Sequence, residues 1–160
     1  MADDAIILSQ AETGIRQYLT SERDAGRIAG NYYEDAVAKT LPNLKKWLLA
    51  IELDRISPGL RDGLRDAITK GRWEALVNAY ARDVSFGTGG IREKMGAGRD
   101  DVLRLKHEGI HASIIKGPNT ISDVVYLLTS AGTAKFGIER KPPLSKVVVG
   151  FDSRVRGSDF

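Results

Sequence analysis

The chain has 160 residues, 42% apolar and 28% charged, a balance that suits one globular domain rather than a disordered chain. Its formal charge is +3, with 13 basic against 9 acidic groups in residues 81–160, which favours a small anionic partner and is modest for a nucleic-acid binder. Cysteine is absent, which excludes disulfides and thiolate metal sites, and no apolar run approaches the length of a bilayer span. The opening MADDAIILSQ carries acids where a signal peptide needs bases, so a cytoplasmic protein with no membrane or nucleic-acid partner is expected.

Residues from about Ser9 to Ala81 read as helical. Ile15, Tyr18 and Leu19 make one short apolar face. Tyr33, Val37, Leu41, Leu44, Leu48 and Ile51 follow near helical spacing, with Pro42 starting or kinking a turn. Ser57-Pro58 has the form of an N-cap followed by proline at the first helical position. In GLRDGLRD, Leu60 and Leu64 join Ile68 on one face, a packing stripe rather than a repeat. Gly71 ends that helix, and Trp73, Leu76, Val77 and Tyr80 begin another. Trp47 and Trp73 are expected to anchor helix packing. Residues 1–80 thus form a helical N-terminal extension with no catalytic pattern.

Ser85–Gly98, SFGTGGIREKMGAG, changes the character of the chain. Gly87, Gly89 and Gly90 let the backbone come close to a ligand. Successive exposed amides in such a turn form an anion trap, and Arg92 adds a fixed positive fork. Phosphate or carboxylate binding is the chemistry this favours. Arg99–Asn119 is charged and weakly patterned, and its Arg99, Arg104, Lys106 and Lys116 lack the aromatic interleaving of an RNA strip, so they read as solvated charge.

Thr120, with Asp123 three residues on, resembles a capping box. Ile121, Val124, Val125, Leu128, Ala131 and Ala134 then give a broad apolar helix face, stopped by Gly137. Pro142-Pro143 turns the chain into Lys146–Phe151, KVVVGF, a β-branched run of the kind buried on both faces of a parallel sheet. Residues 85–91, the helix and this run together predict an α/β fold built on a right-handed βαβ unit. Arg92, Asp152 and Arg154 would share the carboxyl edge, where ligands bind. Two parallel strands leave edges unpaired, so the sequence is expected to be part of a longer one.

FGTGGIREKMGAG resembles the opening signature of the α-D-phosphohexomutases, the phosphoglucomutase/phosphomannomutase family, and GFDSRVRGSDF is similar to that family's next landmark. WEALVNAYARDVSFGT is similar to the lead-in of members with a helical extension, so the resemblance covers about residues 73–160. It implies that residues 81–160 are an incomplete first α/β domain of a four-domain isomerase of carbohydrate metabolism. Such enzymes interconvert hexose 1- and 6-phosphates through a phosphoserine and a bisphosphorylated sugar, with Mg²⁺ and a glucose 1,6-bisphosphate-type activator. Arg92 would be the catalytic arginine; Thr88, Gly89 and Gly90 would shape the phosphate-binding loop, with Asp152 and Arg154 as structural support. The partners implied are a hexose phosphate and the remaining domains of the enzyme.

Departures from the pattern are Glu93, where many members have glycine, and the apparent insertion 99–119. The serine, metal, sugar-specificity and last phosphate-binding loops would lie beyond Phe160, and neither Ser153 nor Ser158 matches the nucleophile, so the fragment alone is expected to be inactive. Two other readings are open. His107-Glu108-Gly109-Ile110-His111 spells the H-E-x-x-H of zinc metalloproteases, for which Glu139 or Asp123 would have to be the third ligand. Alternatively, Arg92 and the glycine loop could serve a non-catalytic module that binds a phosphorylated ligand.

Overall fold

The computed structural model describes residues 2–84, 86–87, 90–91, 93–94, 96 and 98–148. Seven helices carry them: α1 (Ala2–Asp24), α2 (Gly30–Leu49), α3 (Ile51–Ile56), α4 (Leu60–Thr69), α5 (Trp73–Tyr80), α6 (Arg99–Glu108) and α7 (Asp123–Glu139). Between α5 and α6 lies a minimal antiparallel ladder, β1 (Phe86–Gly87) against β2 (Gly90–Ile91), with Phe86 opposite Ile91 and Gly87 opposite Gly90.

The helical periodicity of the first half produces one core. Ala11, Ile15 and Leu19 of α1 recur at every fourth position, as do Leu60, Leu64 and Ile68 of α4, and all six are buried. On α2 the buried stripe is Ala36, Thr40, Leu44, Trp47 and Leu48. It is rotated from the expected one, because Val37 and Leu41 lie half-buried at the edge of the core. Pro42 lies within α2 and does not end it. Tyr80 meets Trp47 edge-on, ring centroids 5.9 Å apart and planes at 88°, the arrangement that aromatic quadrupoles favour. Ile115, Val124 and Val125 complete the same cluster from beyond residue 81.

Two glycines set the approach of α4 to the following chain. Gly59 takes φ +87° just before α4, a conformation open to glycine at no steric cost. Ser57 is therefore not the N-cap of α4; it follows α3, and its hydroxyl is used elsewhere. Gly63 faces the backbone of Ile114: a Cβ there would fall 2.4 Å from the carbonyl oxygen. Alanine in a helix gains about 1 kcal/mol over glycine, but overlap with fixed backbone typically costs about 1–3 kcal/mol. Gly63→Ala should therefore lower the urea midpoint; an unchanged or higher midpoint would show that the chain at Ile114 yields.

The α/β expectation is overturned. Among the described residues there is no parallel sheet and no βαβ unit, and the architecture is helical apart from the β1–β2 ladder. Strands separated by two residues can pair only antiparallel, whereas a parallel pair needs a crossover of a dozen residues or more. Residues 146–148, read as the start of a doubly buried strand, have no ladder partner among the described residues, and Val147 and Val148 are 68% and 96% exposed. The remainder of that run, 149–151, lies outside the described residues.

α7 forms where expected, with corrected ends. Ser122, not Thr120, is its N-cap and accepts from the Val125 amide at 3.4 Å, and the helix continues through Gly137 to Glu139. Of its expected apolar face, Val124 and Val125 are buried, while Leu128 is half exposed along with Tyr126 and Leu127. No helix among the described residues is long and apolar enough to cross a membrane.

Candidate functional site

Of the residues predicted to grip or support a phosphate, Thr88, Gly89, Arg92, Asp152 and Arg154 lie outside the described residues. Gly90 is described through its backbone pairing with Gly87. What can be followed is the frame on which the glycine-rich stretch is hung. Just before the β1–β2 ladder, the Val84 amide donates to the carbonyl of Pro118 at 2.8 Å; just after the ladder, the carbonyl of Lys94 accepts from the Ile121 amide at 2.9 Å. Both stems thus attach to one short piece of chain, residues 116–121.

That piece is itself fastened to the end of α5. The Asn119 amide donates to Ala79 O at 3.0 Å, and its side-chain Nδ2 donates to Asn78 O at 2.8 Å. Asn43 Nδ2 takes Tyr80 O at 3.0 Å, and the Ala81 amide takes Val77 O at 2.8 Å. The carbonyls of the last turn of α5 are thus all occupied, Val77 O by the cap amide and the other three by residues outside the helix. Gly117 passes so close that a Cβ would sit 2.5 Å from Ala79 O. Thr120 Oγ1 closes the turn by accepting from the Gly117 amide and donating to its carbonyl. Beside the exit stem opens a polar cleft of about 420 Å³, lined in part by Arg72, Trp73, Asn78 and Lys94.

Beneath residues 116–121 lies a buried polar cluster that the sequence reading did not identify. The Lys116 side chain is 1% exposed; its ammonium donates to Ser57 Oγ at 2.5 Å, Ile110 O at 2.8 Å and Asp123 Oδ2 at 3.1 Å. Ser57 in turn donates to the same carboxylate oxygen at 2.6 Å. His111 Nδ1 approaches that oxygen at 3.4 Å from a side chain that is 54% exposed. The Tyr80 hydroxyl donates to Lys116 O, and burial raises its pKa well above the usual phenol value. Burial also lowers the Lys116 pKa, with the Asp123 charge and hydrogen bond opposing that fall. Lys116 is therefore a structural ion and not the solvated charge expected. The signal in the sequence was its setting, a lysine between Ile114-Ile115 and Gly117-Pro118.

The charged segment after residue 98 is also more ordered than its pattern suggested. α6 buries Asp101, 1% exposed, beneath a two-pronged hydrogen bond from Arg72, both arms 3.0 Å. Arg104 holds Glu108 at 2.9 and 3.2 Å and also donates to Ser113 O. The paired guanidinium keeps the Glu108 carboxyl below its usual range.

These contacts take apart the zinc motif. α6 ends at Glu108, and Gly109 turns away at φ +89°, so His107 and His111 are not one turn apart on a helix. Glu108 is paired with Arg104, Asp123 belongs to the lysine cluster, and Glu139 pairs with Lys135 at the far end of α7. Among the described residues no group of three or more histidines or carboxylates is placed to hold a metal ion. Compared with family models, curated proteins and solved structures, the chain has no match.

Proposed function

We propose that this chain is the N-terminal part of a phosphohexomutase-type isomerase and carries the loop that grips the sugar's phosphoryl group. The observation that carries this reading is the ordered pair SFGTGGIRE and GFDSR, bracketing a capped helix, α7. The tethered stems at Val84 and Lys94 add support, because a loop that binds an anion with backbone amides gains from having its ends fixed. Arg92 supplies a planar fork that matches a phosphoryl group bidentately, and the glycines let amides approach its oxygens. In phosphoryl transfer most of the rate comes from positioning and neutralising charge, which is the work assigned to these residues. The phosphoserine, the metal ligands and the sugar-selecting residues are assigned to other parts of the enzyme.

The test is an assay of the complete protein with glucose 1-phosphate and with mannose 1-phosphate. Conversion of either to its 6-phosphate, together with a phosphorylated serine in the resting protein, is the expected result. Phosphate-ester binding without conversion would replace the enzyme by a binding module, and neither binding nor conversion by a folded protein would end the reading.

A further inference from the structure

The geometry points to residues 116–121 as a positioning strip for the glycine-rich loop, with Asn119 as the residue that transmits its rigidity. This inference rests on the phosphate-gripping role proposed above. Its physical basis is a shared attachment. The chain enters the loop from Val84, hydrogen-bonded to Pro118 O, and leaves it at Lys94, whose carbonyl accepts from Ile121. Asn119 lies between those two attachment points and fastens the strip to α5 twice, by main chain to Ala79 O and by side chain to Asn78 O.

The strip has little freedom of its own. Lys116 anchors one end through Ser57, Ile110 and Asp123. Gly117 is pressed against Ala79 with no space for a side chain, and the Thr120 hydroxyl closes the 117–120 turn back onto Gly117. Any shift of the strip relative to α5 therefore moves both loop stems together. A loop whose two ends share one rigid mount loses less freedom on binding than one with independent ends. Asn119 touches neither substrate nor reacting atoms in this reading. It acts through the spacing of Val84 and Lys94, and hence through where the β1–β2 ladder stands.

The experiment compares the complete wild-type protein with Asn119→Ala and Asn119→Asp, the latter close in shape but without the side-chain donor. Hydrogen exchange at the amides of Val84, Phe86, Gly87, Gly90 and Ile91 should accelerate roughly fivefold, the loss of about one hydrogen bond, while α1 and α2 amides keep wild-type rates. In parallel, the KM for glucose 1-phosphate should rise by a similar factor, and Asn119→Ser should recover part of the loss. Unchanged exchange at the ladder, or acceleration spread evenly over α1 and α2, overturns the positioning role. Should the wild type convert no hexose phosphate, the functional reading falls, and with it the KM arm; the exchange arm still decides whether the strip holds the loop.

Discussion

Asp123→Ala is expected to destabilise the protein by about 3–5 kcal/mol, the loss typical when one partner of a buried ion pair is removed. The Lys116 ammonium, 1% exposed, would keep only the Ser57 hydroxyl and Ile110 O as acceptors. Ser57 would lose the acceptor of its own proton, and the Val124 amide its bond to Asp123 Oδ1. The lost acid in the first turn of α7 adds only about 0.3–1 kcal/mol, so the stranded charge dominates. The pH dependence supplies a second check. Burial lowers the Lys116 pKa in the folded protein and Asp123 opposes it, so removing Asp123 lowers it further. The unfolded chain then binds more protons than the folded one between that depressed pKa and the ordinary lysine range. The stability of the variant should therefore rise with pH across that window, more steeply than in the wild type. Urea midpoints at several pH values measure both effects, and a loss below about 1 kcal/mol would mean that Lys116 is not held as a buried ion.

Arg92→Ala in the complete protein should lower turnover of a hexose phosphate by about 10²–10³-fold, the usual cost of deleting one preorganised donor to developing charge. The fork is expected to matter beyond its charge, so Arg92→Lys should recover only part of the rate. Because the interaction strengthens as the phosphoryl group transfers, the loss should fall mainly on kcat and not only on KM. Folding should be intact, since the core of α1, α2, α4 and α5 is built from residues remote in sequence from position 92. Steady-state kinetics with a thermal-melt control decides the matter. Turnover within tenfold of the wild type would remove Arg92 from the reaction.

The helical half of the fold was legible because its signals are local. Leu60, Leu64 and Ile68 recur every four residues and are buried together, and Gly71 ends α4 in the left-handed region at φ +64°. The errors come from contacts that local patterns do not contain. Ser57-Pro58 has the form of a helix start, yet the Ser57 hydroxyl is taken by Asp123, 66 positions away. Lys116 resembles a surface charge until Ser57 and Asp123 close around it. The KVVVGF run has the composition of a buried strand, but strand preference is a preference for neighbours, and residues 146–148 have none paired to them among the described residues. The H-E-x-x-H spelling fails at a feature visible in the sequence, Gly109, whose positive φ takes the chain out of the helix before His111. Of the candidate site, the glycine-rich motif and Arg92 could be named from the sequence. The mount that holds the stems could not, because it depends on main-chain bonds and on side-chain bonds from Lys116 to Ser57 and from Asn119 to Asn78, which join residues far apart in sequence.

The two indoles divide the molecule optically. Trp47 is almost wholly enclosed and stands against Tyr80, whereas Trp73 is half-buried and lines the cleft that also contains Lys94. A soluble quencher such as iodide would reach the second ring far more readily than the first. Fluorescence from a Trp47→Phe protein would therefore report on events beside the loop's exit, and emission from a Trp73→Phe protein on the integrity of the interior, which gives one chain separate gauges for ligand arrival and for unfolding.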